Sequence, residues 1–222
     1  MGVRDPQALT PRPHVSLKIA TSLDGRIGTS TGESQWITGP EARLQGHRLR
    51  AASDAVLVGI ETVLADDPRL TVRLPASETS AADPLRVVLD SRLRTPAFAR
   101  LAVAGTLILT TREPQTVGGA EVVRVAGDTQ NRPTIAAVLA VLHERGVKRL
   151  MIEGGGRVAA CFVAAGVVDA IDWFRAPILL GGDGRPGVAA LSLARLANAP
   201  RFRRLAVEPL GDDLWERYER LA

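Results

Sequence analysis

Cysteine, lysine and aromatic residues are all scarce in this chain. Cys161 is the only cysteine among 222 residues. It has no partner for a disulfide within the chain and leaves no basis for a cysteine zinc site. The three histidines, His14, His47 and His143, lack metal-ligand spacing. His47 and His143 sit among charged residues in helix-like segments and read as exposed or capping side chains, so no metal is expected. Aromatics make up 4% of the chain, and Ala, Val and Leu must fill the interior instead. No apolar run reaches membrane-spanning length. Met1 to Pro13 holds Pro6, Pro11 and Pro13 and no apolar core of a signal peptide, and reads as a tail. The expectation is a cytoplasmic protein with no membrane partner.

Lys18 and Lys148 are the only lysines, so arginine carries nearly all the positive charge behind a net +4. The arginines are scattered and lack interleaved stacking aromatics, which argues against nucleic acid as a partner. The planar arginine fork suits phosphate esters, so a small phosphorylated substrate is the better fit. A nucleophile elbow with a Ser/His/Asp set is missing, as is the G-x-x-x-x-G-K-S/T phosphate loop. Hydride transfer asks little of side chains, because a cofactor carries the hard chemistry. It fits this inventory.

Hydrophobic residues make up 45% and charged residues 23%, an ordinary globular balance. Strands are expected at Val15–Ala20, within Asp54–Gly59, and at Leu85–Leu89, Gly105–Thr110, Val122–Val125, Arg149–Ile152 and Ala170–Arg175. Helices are expected at Pro40–Ser53, Pro133–Arg145 and Arg157–Ala165, the last two closed by Gly146 and Gly166. Arg203–Glu208 and Leu214–Glu219, joined through Gly211-Asp212-Asp213, read as a terminal β-hairpin. Strands alternating with helices predict a three-layer α/β domain with a mostly parallel sheet and an antiparallel C-terminal hairpin. Residues 1–13 would be a tail and 14–222 one domain, with Pro75–Asp83 a surface loop inside it.

Four places are candidates for chemistry. Glu153-Gly154-Gly155-Gly156-Arg157-Val158 runs from a strand into a helix, and its glycines let backbone N–H groups approach an anion. The same sequence also serves a tight turn with no ligand, and both readings stand. Gly59 to Arg73 follows a buried strand, where α/β sheets bind ligands. Thr62 and Asp66 offer groups to a ribose or amide, and Arg73 a fork to a phosphate. Taken alone, a helix cap plus a turn is the simpler reading, since Asp66-Asp67-Pro68 is a plain turn sequence. Lys18 lies within the first strand, where a bare buried amine is costly. An edge position in solvent would satisfy it, yet the Gly-rich loop that follows favours a site. Ala176 to Pro186 ends in a glycine-rich loop without a convincing catalyst; it would cover a cofactor or simply turn.

Six ordered blocks carry a family resemblance. They are Lys-Ile-Ala-Thr-Ser-Leu-Asp-Gly-Arg-Ile (18–27), Gly-Glu-Ser-Gln-Trp-Ile-Thr-Gly (32–39), Thr-Val-Leu-Ala-Asp-Asp-Pro-Arg-Leu-Thr-Val-Arg (62–73), Val-Leu-Asp-Ser (88–91), Glu-Gly-Gly-Gly (153–156) and Ala-Pro-Ile-Leu-Leu-Gly-Gly-Asp (176–183). Together they resemble the 5-amino-6-(5-phosphoribosylamino)uracil reductase domain of the bifunctional deaminase/reductase of riboflavin biosynthesis. The resemblance implies a dihydrofolate-reductase-like fold, NADPH as cofactor, and reduction of a ribosylamino group to ribitylamino. By motif, Ala20, Trp36, Thr62, Asp66, Ser91, Gly155, Gly156, Arg157 and Val158 would contact NADPH. Ser34, Arg50, Leu70, Arg73 and Glu153 would contact the phosphorylated ribosylamino-pyrimidine, with Arg50 and Arg73 holding its 5′-phosphate. Lys18 and Glu153 would be the catalytic pair. A homodimer is expected, because the closing hairpin offers Phe202, Leu205, Val207, Trp215 and Tyr218 on an edge that would otherwise be exposed, and the resemblance implies the same. The zinc deaminase pattern of the bifunctional form, H-x-E with P-C-x-x-C, is missing here. The expected form is therefore a stand-alone reductase, a truncation, or a paralogue with another substrate such as a pterin. A silent nucleotide-binding dimer module is the contrasting expectation; Lys18, Asp66, Arg73 and Glu153 argue against it, since none is needed merely to fold.

Overall fold

A computed structural model describes residues 11–78 and 82–221. Residues 1–10 of the expected tail, and 79–81 of the expected Pro75–Asp83 loop, lie outside the described residues. In chain order the elements are β1 (His14–Thr21), β2 (Arg26–Gly28), α1 (Pro40–Ala51), β3 (Ala55–Gly59), α2 (Ile60–Asp66), β4 (Leu85–Leu89), β5 (Thr106–Thr110) and β6 (Glu121–Arg124). They continue with α3 (Ile135–Glu144), β7 (Arg149–Glu153), α4 (Gly156–Ala164), β8 (Ala170–Arg175), β9 (Arg185–Pro186), β10 (Phe202–Leu210) and β11 (Asp213–Arg220).

Nine strands form one sheet in the order β10-β11-β8-β1-β7-β3-β4-β5-β6. From β8 to β6 all neighbours are parallel. The β10–β11 hairpin joins antiparallel beside β8. β3 and β5 are buried along their whole length, as parallel strands covered on both faces must be. β1 alternates: Val15, Leu17 and Ile19 enter the core with Val138 and Leu142 of α3 and Phe162 of α4. Lys18 and Ala20 face the other way. On that second face, Val56, Val58 and Met151 pack with Ile60 and Val63 of α2 and with Leu49 of α1. The three-layer α/β expectation is borne out.

Local chemistry explains several element ends. Pro40 opens α1, with Glu41 in its first turn and Arg48 and Arg50 in its last, which suits the helix dipole. Thr134 caps α3 by accepting the Ala137 N–H at 3.3 Å. At the amino-terminal edge of the sheet, Asp169 accepts the Val15 N–H at 2.8 Å and the two Arg12 Nη groups at 2.7 Å each. Residues 12 and 13 are thereby tied to the sheet.

The structure departs from expectation in three places. Ile60–Asp66 is a full helix, where only a helix cap and a turn were expected; its buried Ile60 and Val63 lie one turn apart. Arg26–Gly28 and Arg185–Pro186 pair as a small second sheet, so the glycine-rich loop ends in a strand. The hairpin was expected to expose Phe202, Leu205, Val207, Trp215 and Tyr218 along one edge. Only Leu205 and Val207 are exposed. Trp215 is buried and stacks on Phe174 with ring centroids 5.9 Å apart, while Phe202 and Tyr218 pack against the main core.

The start of α4 is the tightest backbone approach. A Cβ at Gly156 would lie 2.2 Å from the Pro186 carbonyl oxygen, whereas one at Gly182 would meet nothing within 4 Å. Gly156→Ala should therefore cost about 1–3 kcal/mol of stability, read as a lower urea midpoint. Gly182→Ala should leave the midpoint close to the parent's; equal midpoints for the two variants would contradict this packing.

Candidate active site

The carboxyl ends of β1, β7, β3 and β4 open on a cleft of about 1630 Å³. Ligands bind at this end of parallel sheets. Of the residues singled out from the sequence, Lys18, Ala20, Ser34, Thr62, Asp66, Ser91, Glu153, Gly155, Gly156, Arg157 and Val158 line it. Trp36, Arg50, Leu70 and Arg73 do not. Trp36 is 67% exposed, its ring 4.7 Å from the Arg43 guanidinium carbon. Leu70 is buried in the core beneath α2 and so acts through packing. Arg73 has an exposed side chain.

Register builds the charged floor. Lys18 on β1 is level with Glu153 on β7 and with Asp172 on β8, so one cation stands between two carboxylates on the same face. Lys18 Nζ lies 3.7 Å from Glu153 Oε1 and 5.6 Å from the Phe174 ring centroid. Arg50 reaches down from α1. Its Nη2 donates to both Glu153 oxygens at 2.9 and 2.8 Å, and its Nε to Oε2 at 3.2 Å. Its Nη1 donates to the Thr71 carbonyl. The Arg50 fork is thus engaged, and the expected grip on a substrate phosphate would require it to leave Glu153.

Burial alone would raise the Glu153 pKa. Arg50 and Lys18 outweigh it and hold the carboxyl below its ordinary value. Asp172 goes the other way. Burial raises its pKa, although Trp215 Nε1 donates to its Oδ1 at 3.0 Å and Arg217 and Lys18 lie near. The two acids flanking Lys18 are pushed in opposite directions, and of the two only Glu153 lines the cleft.

The opposite wall is the glycine turn. Gly154 and Gly155 have φ of 89° and 83°, a region that favours glycine. Cβ atoms there would approach Thr62 Oγ1 at 3.5 and 3.6 Å. No side chain caps α4, so its first backbone N–H groups remain for a ligand. Asp66 sits beyond Thr62, its pKa raised by burial against the pull of Arg185 and the Ser34 hydroxyl. Asp24 fastens the loop before β9 by accepting the Leu180 and Gly181 N–H groups at 3.2 and 2.8 Å. The Ser22 hydroxyl first, with these backbone groups, lowers the Asp24 pKa to about 2.

Sequence reasoning missed His47, Asp172 and Asp24. His47 was expected to be exposed or capping. It is half-buried one turn from Arg50, and its Nδ1 accepts the Arg73 N–H at 3.2 Å. Burial first, then Arg50 and Arg73, lower its pKa to about 4. The Lys18–Asp172 juxtaposition depends on strand order, which apolar runs do not reveal. His143 is exposed, as expected. Among the described residues no group of three or more His, Cys, Asp or Glu is placed to hold a metal ion. Nor is any helix among them long and apolar enough to cross a membrane.

Residues 13–215 match the family described as the RibD C-terminal domain. The riboflavin biosynthesis protein RibD of Mycobacterium tuberculosis is 39% identical over 207 residues, 92% of this chain and 54% of that protein. This chain spans about half the length of such curated relatives. The 2,5-diamino-6-ribosylamino-4(3H)-pyrimidinone 5′-phosphate reductase of Methanothermobacter thermautotrophicus is 41% identical, with 93% of this chain and 98% of that one covered. Among solved structures, Acinetobacter baumannii RibD superposes with a TM-score of 0.85 at 32% identity, over 95% of this chain and 59% of that one. The dihydrofolate reductase of Enterococcus faecalis, at TM-score 0.52 and 16% identity over 93% of this chain and 96% of that one, shares the fold alone.

The charged floor makes a pH prediction. A carboxylate whose folded pKa is depressed contributes stability above its unfolded pKa of about 4.3, and loses it as pH falls through the lower folded value. Arg50→Met removes the stronger of the two cations. It should destabilise the fold by about 3–5 kcal/mol at neutral pH and move Glu153 titration upward. Side-chain carboxyl NMR titration reads the shift, and an unmoved Glu153 midpoint would contradict the assigned pairing.

Proposed function

The chain belongs to the RibD C-terminal domain family, and from that membership and the cleft we propose that it reduces the ribosylamino side chain of a phosphorylated 5-amino-6-ribosylamino-pyrimidine to ribitylamino, using NADPH. The observation that carries this reading is the Lys18–Glu153 pair on the floor of the cleft, gripped from α1 by Arg50 and facing a glycine turn at a helix start. The names of the Methanothermobacter relative and of RibD support the substrate class and the place in riboflavin synthesis.

The residues present suit NADPH. The uncapped start of α4 and the side-chain-free surface of Gly154 and Gly155 are a cradle for a pyrophosphate, with Thr62 beside it. Arg92, Arg112 and Arg157 line the same cleft and supply forks for the further phosphate that distinguishes NADPH from NADH. Thr62, Asp66, Ser91 and the turn from Gly155 to Val158 would hold the cofactor, which when bound supplies the hydride.

The protein's own residues do the positioning. A closed ribosylamine has no electrophilic C1′, so the substrate must react as its ring-opened imine. Ring opening gives the ring oxygen a proton, and reduction gives the amine nitrogen one. Lys18 and Glu153 are the titratable pair on the cleft floor, and this reading assigns them to orienting the imine and moving those protons. Arg50 keeps Glu153 ionised and in place. Arg73, with its exposed side chain, is assigned to the 5′-phosphate. Leu205 and Val207 on the outermost strand β10 leave an apolar edge, which supports a homodimer; a monomer mass by light scattering would contradict it.

Stereospecifically deuterated NADPH should place its label at C1′ of the ribityl product, with the amino and the deaminated pyrimidine tested side by side. Label on the pyrimidine ring would overturn the reading in favour of ring reduction. Lys18→Ala and Glu153→Gln should each lower kcat at least 100-fold, the lower end of general acid–base contributions, with NADPH affinity nearly unchanged. Gly155→Asp should weaken NADPH binding about tenfold or more in a protein that still folds. An unchanged dissociation constant would remove the glycine turn from the cofactor site.

A further inference from the structure

Residues 71–73 belong to no strand or helix, yet side chains hold their backbone one group after another. The Thr71 carbonyl accepts from Arg50 Nη1, the Val72 N–H donates to Asp83 Oδ1 at 2.7 Å, and the Arg73 N–H donates to His47 Nδ1 at 3.2 Å. Arg50 and His47 sit one turn apart on α1 and act together on this segment. Arg50 is also the residue that grips Glu153. The segment carrying Arg73 is therefore joined to the cleft floor through α1 rather than through the sheet.

We propose that His47 is a positioning residue for substrate binding: its Nδ1 holds the Arg73 N–H and so fixes the segment from which the Arg73 side chain reaches the substrate's phosphate. This rests on the functional reading above. An Nδ1 that accepts a hydrogen bond carries no proton, so the ring must be neutral. The groups facing it enforce that state. Burial, Arg50 on its own helix, Arg73 on the held segment and Lys18 on β1 all disfavour the imidazolium, and only Glu153 on β7 favours it. Protonation would turn the acceptor into a donor aimed at an N–H, and the segment would be released.

The test compares His47→Ala with His47→Asn, whose Oδ1 stands where Nδ1 stood. In His47→Ala, amide exchange at Arg73 should quicken at least tenfold and the substrate KM should rise about tenfold. NADPH affinity and kcat should stay close to the parent's. His47→Asn should restore both slow exchange and low KM. It should also lack the extra rise in KM that the parent shows as pH falls toward 4, the titration of the substrate phosphate being common to both proteins. Unchanged Arg73 exchange in His47→Ala would overturn the proposal, as would faster exchange with an unchanged KM. The exchange measurement needs no substrate, so failure of the functional reading would show separately, as no turnover of either pyrimidine by the parent protein.

Discussion

A carboxylate that water barely reaches must receive its counter-charges from the fold. Glu153 receives them from two elements far apart in sequence. Lys18 comes from the neighbouring strand at matching register, and Arg50 descends from α1 with three hydrogen bonds. Removing either leaves charge stranded in a low dielectric, which costs more than the pair contributes when intact. The sheet order is what makes this possible. β1 and β7 must be neighbours, and α1 must lie across the face that Lys18 occupies. The segment 71–73 is then held in turn by the helix that supplies Arg50.

The facing wall is built by a different means. Its shape comes from backbone approach. Gly156 admits the Pro186 carbonyl, Gly59 admits the Val158 methyl, and Asp24 anchors the loop before β9. The cleft therefore has one side ordered by ion pairs and one shaped by close backbone approach. A ligand with an anionic end and a reactive carbon suits such a division, since each wall meets one of its needs.

Much of the strand and helix inventory was legible because apolar runs and glycine stops mark it directly. β3 is an unbroken apolar run and β5 a Leu-Ile-Leu run between threonines, and Gly146 and Gly166 close their helices. The helix Ile60–Asp66 was not, because one short turn of apolar spacing next to Asp66-Asp67-Pro68 looks like a helix cap and a turn. The hairpin aromatics point inward through strand alternation against β8, and the sequence says which residues alternate but not which face is covered. In the site, Lys18 stood out as a charge within an apolar strand and Glu153 as one at a strand end. Arg50 was marked through the family resemblance, yet its partner depends on tertiary placement, and Glu153 is 103 residues away. His47 gave no signal, since its partner is a backbone group 26 residues on.

The bidentate grip of Arg12 on Asp169 bears on how the chain enters the sheet. It fastens the chain just before β1, at the amino-terminal edge of the parallel strands, while the cleft opens at their carboxyl ends. At residue 11 the described chain therefore enters at the end of the sheet opposite the cleft mouth, and the ion pair keeps a strain on the chain there from fraying into the first strand.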